Sequence, residues 1–123
     1  MAPTSLERHR SERAGRRAET VAVWFLRLKG YRILARRYAT GQGEIDIIAR
    51  RGRLVAFVEV KRRRHLDRAL EALDRRQCRR IMRAAQVFMQ RFPSVERLDL
   101  RFDLIAVGEW RIVHVEDAFR PDS

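Results

Sequence analysis

The apolar and polar positions of the chain follow two periods. Apolar residues recur at three- and four-residue spacing over 12–29 and 75–91, which predicts two helices. Five other segments alternate or run apolar over strand lengths, namely 31–38, 44–50, 53–61, 97–107 and 110–116. The order α-β-β-β-α-β-β predicts an α/β (α+β) fold in which helices flank a mixed central sheet. The third strand segment is apolar on both faces until Glu59, which is typical of a central strand.

Local signals predict where the helices and the domain begin. Ser11 is a candidate N-cap of the first helix. Asp74 and Gln77 have the spacing of a capping box before the second helix. The predicted organisation is a disordered basic segment 1–11, a single domain 12–119 and a short tail 120–123.

Charge sets this chain apart from an average domain. It carries 28 Lys and Arg against 16 Asp and Glu, a net charge of +12, and residues 50–83 alone carry +9. A positive charge of this size in one region indicates a polyanionic partner, and we favour nucleic acid. The alternative is a basic surface that only keeps the protein solvated.

Four charged side chains interrupt two neighbouring strand segments. Glu44 and Asp46 lie two residues apart in the first segment, and Glu59 and Lys61 lie two apart in the second. Because side chains alternate along a strand, each pair points to one face. A hairpin that turns at 51–52 would bring three carboxylates and one ammonium group together on one sheet surface. Burial of such groups is costly unless they pair with each other or hold a cation.

This combination of side chains suits phosphodiester hydrolysis. The chain has no Gly-rich phosphate loop, no Ser-His-Asp elbow and no zinc-ligand spacing. Two carboxylates can hold a hard divalent cation, which activates water and neutralises charge on a phosphate. Lys61 is one of only two lysines among 28 basic residues, and Lys, unlike Arg, can release a proton. A structural ion pair between Glu59 and Lys61 is the alternative.

The motif at these positions resembles one found in known nucleases. Asp46 with Glu59-x-Lys61 resembles the PD-(D/E)-x-K motif of the restriction-endonuclease-like superfamily, whose core is a helix, three antiparallel strands, a second helix and a further strand. Over residues 11–119 the chain is similar to the YraN family of small bacterial endonuclease-like proteins. The matching stretches are Gly15 to Glu19, Gly30-Tyr31, GEIDII at 43–48, FVEVKRR at 57–63 and RFDLIAV at 101–107.

The resemblance implies a restriction-endonuclease-like core, a nuclease-like domain over the chain and a role for each matching residue. Asp46 and Glu59 would bind Mg²⁺ or Mn²⁺. Lys61 would serve the attacking water. Glu44 and Glu19 would be auxiliary catalytic acids, and the alternative for Glu19 is an ion pair with a nearby arginine.

Seven arginines close to the motif are candidate nucleic-acid-binding residues, because guanidinium groups contact phosphates well. They are Arg62, Arg63, Arg64, Arg76, Arg79, Arg80 and Arg83. Arg76 stands where the family often has Lys, and Ile45 precedes Asp46 where the superfamily motif has proline. With arginine at position 76, phosphate contact is the role that we expect for this residue.

Five further residues are expected to have structural roles. Trp24 and Trp110 could stack on bases, but we favour half-buried packing for both. Asp103 and His114 lie inside strand segments and are expected to pair with neighbours. Cys78, the only cysteine, is expected to be buried in the core.

The sequence therefore predicts a Mg²⁺- or Mn²⁺-dependent endonuclease, with DNA favoured over RNA. The family is also similar to Holliday junction resolvases, which implies structured or branched DNA as substrate. One alternative is a non-catalytic nucleic-acid-binding module in DNA repair, recombination or uptake, and another is an assembly domain, with a homodimer left open. The lack of a long apolar run or signal-peptide pattern predicts a cytoplasmic protein without membrane contact.

Overall fold

The computed structural model describes the backbone of residues 5–121 and the side chains of residues 15–71 and 73–121. Two long helices and five strands follow in the predicted order. Their bounds are α1 Ser5–Leu28, β1 Arg32–Thr40, β2 Gly43–Arg51, β3 Leu54–Arg62, α2 Arg75–Arg91, β4 Asp99–Val107 and β5 Ile112–Phe119. Short 3₁₀ helices at Ala69–Ala72 and Pro93–Arg97 precede α2 and β4. The predicted α/β (α+β) class is confirmed.

Helix α1 begins earlier than predicted. It starts at Ser5 and not near residue 12, so Ser11 is an interior helical residue and not the N-cap. Residues 5–11, predicted to be disordered, lie within this helix, and 1–4 lie outside the described residues. The polar segment lacks periodic apolar positions, but its Glu and Arg residues are strong helix formers and no Gly or Pro interrupts it.

The C-terminal strands differ from prediction only at their ends. The 3₁₀ helix that opens at Pro93 delays the start of β4 to Asp99, and β5 continues to Phe119 rather than ending at residue 116. Of the predicted tail, residues 122–123 lie outside the described part of the chain.

The five strands form one mixed sheet in the order β1-β2-β3-β4-β5. Neighbouring strands are antiparallel except β3 and β4, which are parallel. The connection between these two strands carries α2. Lys61 pairs with Ala106 and Arg62 with Val107, so β3 and β4 end together at one edge of the sheet. This edge holds the end of the predicted motif.

Each helix covers one face of the sheet. The buried side chains of α1, among them Val23 and Leu26, pack against Ile47, Val58 and Ile105. On the other face, a second cluster is built around α2, with Ile81, Ala84, Ala85 and Phe88 against Ile48, Val55, Phe57 and Phe102. The central position predicted for β3 is confirmed, because residues 55–58 are fully buried. Neither these helices nor any other helix among the described residues is long and apolar enough to span a membrane.

The start of α2 is fixed by the predicted capping box. Asp74 Oδ1 accepts a hydrogen bond from the Gln77 amide at 2.7 Å, and Gln77 Oε1 accepts one from the Asp74 amide at 3.5 Å. The first residue of β2 also contacts this helix. A Cβ atom at Gly43 would overlap the carbonyl oxygen of Arg80, so only glycine allows β2 to approach so closely. The turn between β1 and β2 therefore lies beside the basic side of α2.

Candidate metal centre and nucleic-acid interface

Asp46 lies where β2 and β3 cease to pair. The register of the two strands ends at Ile47 opposite Val58. Beyond this pair, Asp46 Oδ2 accepts a hydrogen bond from the Val60 amide at 2.7 Å. A side-chain oxygen thus takes the place of a strand carbonyl, and it fixes one oxygen of the Asp46 carboxylate against β3.

A change of face in β2 accompanies this hydrogen bond. Ile47 belongs to the apolar cluster under α1, whereas Ile45 belongs to the cluster under α2. Regular alternation would place both residues on one face. The strand therefore twists at Asp46, and Ile45 has a packing role at the position where the superfamily motif has proline.

Glu59 lies beside Asp46 in a largely buried position. Burial, a hydrogen bond with Asp46 and the negative charge of Asp46 together raise the pKa of Glu59 to about 9, with Glu44 adding to the shift and Lys61 opposing it. The Nζ atom of Lys61 lies 3.9 Å from Glu59 Oε1, and only 14% of the Glu59 side chain is exposed. At neutral pH Glu59 therefore keeps its proton beside Asp46. A cation between the two groups would offset the repulsion between two ionised carboxylates.

The donor set fits a hard divalent cation held by two carboxylates. Among the side chains that the structure describes, no group of three or more His, Cys, Asp and Glu could hold a metal ion. Mg²⁺ is commonly bound through one or two carboxylates while water and substrate oxygens complete its octahedron. Asp46 and Glu59 meet this requirement, and the contact between their two carboxyl groups, with Glu59 largely buried, is the observation in favour of a cation. Glu44 is exposed and acts on Glu59 through its charge.

Glu19, the other predicted auxiliary acid, is engaged elsewhere. Its carboxylate is 8% exposed and accepts hydrogen bonds from Arg36 Nε at 3.2 Å and Arg37 Nε at 3.0 Å. Arg37 has a φ of 49°, in the left-handed region. Glu19 is not among the groups that shift the pKa of Glu59. The structure brings Asp46, Glu59 and Lys61 together and leaves Glu19 in this ion-paired cluster.

Two open basic grooves contain the seven candidate arginines, all of which are exposed. The helix groove, about 630 Å³, is lined by Gly41, Gln42, Arg76, Arg79, Arg80 and Arg83. The strand-end groove, about 470 Å³, is lined by Arg62, Arg63, Arg64, Val107, Gly108 and Glu109. The first groove includes residues of the turn before β2, and the second includes Arg62, which follows Lys61 along β3. Both surfaces attract phosphate.

A buried polar network that sequence reasoning did not assemble lies on the α1 face. Asp103, fully buried, accepts two hydrogen bonds from Arg101 at 2.7 Å and one from the Asp117 amide at 3.1 Å, and it lies 2.8 Å from His114 Nε2. Lys29 Nζ lies 2.7 Å from His114 Nδ1. Burial alone would raise the pKa of Asp103, but hydrogen bonds from His114, Arg101 and the Asp117 amide hold it below its usual value. Asp103 and His114 pair with neighbours, as predicted from their positions inside strand segments.

Trp24, Trp110 and Cys78 are less buried than predicted. Trp24 is 59% exposed and Trp110 is 89% exposed, so half-buried packing is wrong for both. Cys78 is half-buried. Burial raises the pKa of its thiol, and the negative charges of Asp74 and Glu59 add to this increase. Cys78 is thus close enough to Glu59 for its charge to act on the thiol. A larger cavity, about 840 Å³, lies elsewhere, at the end of the sheet where β3 and β4 begin.

We expect Mn²⁺ affinity to rise about tenfold per pH unit between pH 6 and 8. Glu59, with its pKa raised to about 9, must lose a proton before its carboxylate can bind a cation. Calorimetry in two buffers of different ionisation enthalpy measures both the affinity and the proton released. Glu59→Gln should lose both, while Glu71→Gln, which changes an exposed glutamate, should alter neither. Affinity that is independent of pH, with no proton released, would contradict the expectation.

Comparison with known proteins identifies the family. The family model for the uncharacterised protein family UPF0102 matches residues 18–107, which include the acidic pair and Lys61. A UPF0102 protein of Mesorhizobium japonicum is 53% identical over 116 residues, covering 94% of this chain and 93% of its own. Relatives from Paramagnetospirillum magneticum and Parvibaculum lavamentivorans are 47% and 54% identical and cover 98% and 89% of this chain, and 98% and 83% of their own. The chain therefore belongs to UPF0102, the YraN family that its motifs resemble.

Proposed function

We propose that this protein is a Mg²⁺- or Mn²⁺-dependent endonuclease that hydrolyses phosphodiester bonds in structured or branched DNA. The observation that carries the proposal is the Asp46–Glu59 pair beside Lys61, on a chain whose helix groove and strand-end groove are lined by exposed arginines. Two carboxyl groups close together in a partly buried site destabilise the fold, and a bound cation would compensate for this cost.

Asp46 and Glu59 would hold the cation. When bound, it supplies Lewis-acid neutralisation of the phosphate and a lowered pKa for water. The Val60 amide keeps one Asp46 oxygen in place. Lys61, whose ammonium group lies 3.9 Å from Glu59, is positioned to orient the attacking water and to stabilise negative charge that grows on the phosphate. In hydrolysis, the water oxygen bonds to phosphorus, one ester P–O bond breaks, and the departing oxygen takes up a proton.

The two grooves would hold the strand that is cut. Each guanidinium group that neutralises a phosphate releases condensed counterions, so binding should weaken steeply with salt. The net charge of +9 over residues 50–83 concentrates this attraction around Lys61 and α2. Such contacts set the orientation of the DNA without reading its sequence.

A non-catalytic nucleic-acid-binding module is the second candidate. It is favoured because no group of three or more His, Cys, Asp and Glu side chains among those described could hold a metal ion. In this case the contact between Glu59 and Lys61 would be a structural ion pair in the sheet. The basic grooves would serve both functions equally, so only cleavage separates them.

Removal of the metal should abolish cleavage by the wild-type protein. We expect Mg²⁺ or Mn²⁺ to support cutting of a labelled four-way DNA junction, with less cutting of a linear duplex of the same sequence, and chelator to stop both reactions. Gel analysis of the products measures the rates, and a parallel binding assay in chelator verifies that DNA is still bound. Tight, salt-sensitive binding with no cutting under any metal would favour the binding module.

A further inference from the structure

Trp110 is presented to solvent by a tight turn. Its exposed fraction, 89%, is larger than that of any other large hydrophobic residue among those described. The turn joins β4 to β5, and the Gly108 amide closes it with a hydrogen bond to the Arg111 carbonyl at 2.8 Å. The indole ring therefore projects from an ordered hairpin. Exposure of so large an apolar ring is unfavourable in water and points to a ligand.

The surroundings of Trp110 are cationic. It shares a cavity with Arg64, His65, Arg111 and two acids, Asp67 and Glu109. The strand-end groove, with Arg62 and Arg63, adjoins this cavity and shares Arg64 and Glu109 with it. Four guanidinium groups against two carboxylates favour a polyanion over an apolar protein partner.

Trp24 provides a contrast within the same chain. The guanidinium group of Arg27 lies over its ring at 5.0 Å from the centroid. Among the described side chains, no aromatic ring or cation is stacked on Trp110. One of the two tryptophans is thus partly covered by its own helix, while the other keeps both faces of the ring open.

The turn lies at the same edge of the sheet as Lys61. Lys61 pairs with Ala106, and the Arg63 amide donates a hydrogen bond to the Val107 carbonyl at 3.0 Å. One strand spacing of about 4.8 Å and two to three residues of about 3.3 Å separate Lys61 from the start of the turn, roughly 10 Å in all. The turn that carries Trp110 therefore lies close to Lys61.

We propose that Trp110 stacks on an unpaired base near the phosphate that is cut, so that the preferred DNA has a single-stranded segment beside the site. This inference rests on the proposed function and specifies its substrate. Aromatic side chains along a basic groove are how proteins hold unpaired strands. A base inside a duplex is already stacked on both faces, so a surface indole cannot reach it.

The two tryptophans of the chain allow a direct test. Trp24→Phe leaves Trp110 as the only tryptophan, and its fluorescence is measured in chelator during titration with oligo(dT) or with a blunt duplex. We expect quenching by oligo(dT) and by a duplex with a single-stranded overhang, and little quenching by the blunt duplex. In the reciprocal variant, Trp110→Phe, the remaining fluorescence of Trp24 should change little with any DNA.

Affinity provides the second measurement. Trp110→Ala should weaken binding to oligo(dT) by between about 5- and 150-fold, the range for loss of one aromatic–base stack. Binding to the blunt duplex should stay within about twofold. Trp110→Phe should retain part of the affinity for oligo(dT), and the matched control Trp24→Ala should retain all of it.

Equal affinity of Trp110→Ala and wild type for oligo(dT), or an equal loss for oligo(dT) and duplex, would overturn the inference. Because these measurements are made in chelator, a lack of catalysis cannot produce either result. A protein that binds every DNA without cutting it would refute the endonuclease, and the fluorescence and affinity of the Trp110 variants would then decide on stacking by themselves. A protein that binds no DNA would refute both.

Discussion

Replacement of Asp46 by asparagine is expected to lower the metal-dependent cleavage rate by more than about 100-fold while DNA affinity in chelator stays within about threefold. Loss of a residue that merely supports a metal ligand costs about 10- to 100-fold, so loss of a ligand itself should cost more. Asparagine keeps the shape of the side chain and an oxygen that can accept the Val60 amide, which Asp46 Oδ2 now accepts at 2.7 Å. The change therefore removes the charge and preserves the strand geometry.

The measurement for Asp46→Asn is single-turnover cleavage with Mn²⁺ beside a binding titration. Asp99→Asn is the matched control, because Asp99 is an exposed aspartate at the first residue of β4, at the far end of the sheet. Its rate should equal that of wild type. Cleavage by Asp46→Asn within about tenfold of wild type would show that the active site lies elsewhere.

Replacement of Asp103 by alanine should lower the free energy of unfolding by about 3–5 kcal/mol at neutral pH. Asp103 is fully buried, and its removal leaves His114, 3% exposed, without its carboxylate partner and Arg101, 17% exposed, with only the Glu116 carboxylate at 3.6 Å. Breaking a buried pair by removing one partner costs this much because an uncompensated charge or donor remains. Denaturant titration measures the change.

The stabilisation by Asp103 should also depend on pH. The folded pKa of Asp103 lies below the unfolded value, so the stabilisation is present above the unfolded pKa, about 3.9, and is lost as pH falls through the folded pKa. The difference between wild type and Asp103→Ala should accordingly narrow in acid. Asp99→Ala, on the same strand, should change stability by less than about 0.5 kcal/mol. An Asp103→Ala protein as stable as this control would mean that the network contributes little.

Elements with strong local signals could be predicted from the sequence. Helix α2 follows the prediction at both ends because a periodic apolar stripe and the Asp74–Gln77 box act within a few residues. The pairing of Asp46 with Glu59 could be predicted because the two-residue period of a strand fixes faces and a tight turn at 51–52 fixes the register. The start of helix α1 could not be predicted from apolar periodicity, because its first turns are helical by propensity and lack an apolar stripe.

Features that depend on contacts between distant segments could not be predicted. The sequence left open whether Glu19 leans toward the acidic pair or pairs with an arginine, and only the packing of α1 over β1 decides for Arg36 and Arg37. The Asp103 network joins Lys29, 85 residues from His114 along the chain. Such pairings require the fold to be known first.

The exposure of Trp110 also escaped sequence reasoning. A tryptophan near a strand is usually half-buried, and only the position of the turn decides whether its ring meets the core or solvent. The last strand begins at Ile112 and not at the predicted residue 110, so Trp110 lies within the turn that the Gly108–Arg111 hydrogen bond closes.

The central claim is that Asp46 and Glu59 hold a divalent cation, and anomalous diffraction from crystals soaked in Mn²⁺ tests it most directly. The account predicts a single strong peak between the two carboxylates, about 2.0–2.6 Å from an oxygen of each, and no peak there in Asp46→Asn crystals. Mn²⁺ bound only at other positions, or no bound Mn²⁺ in wild-type crystals at neutral to alkaline pH, would contradict the claim.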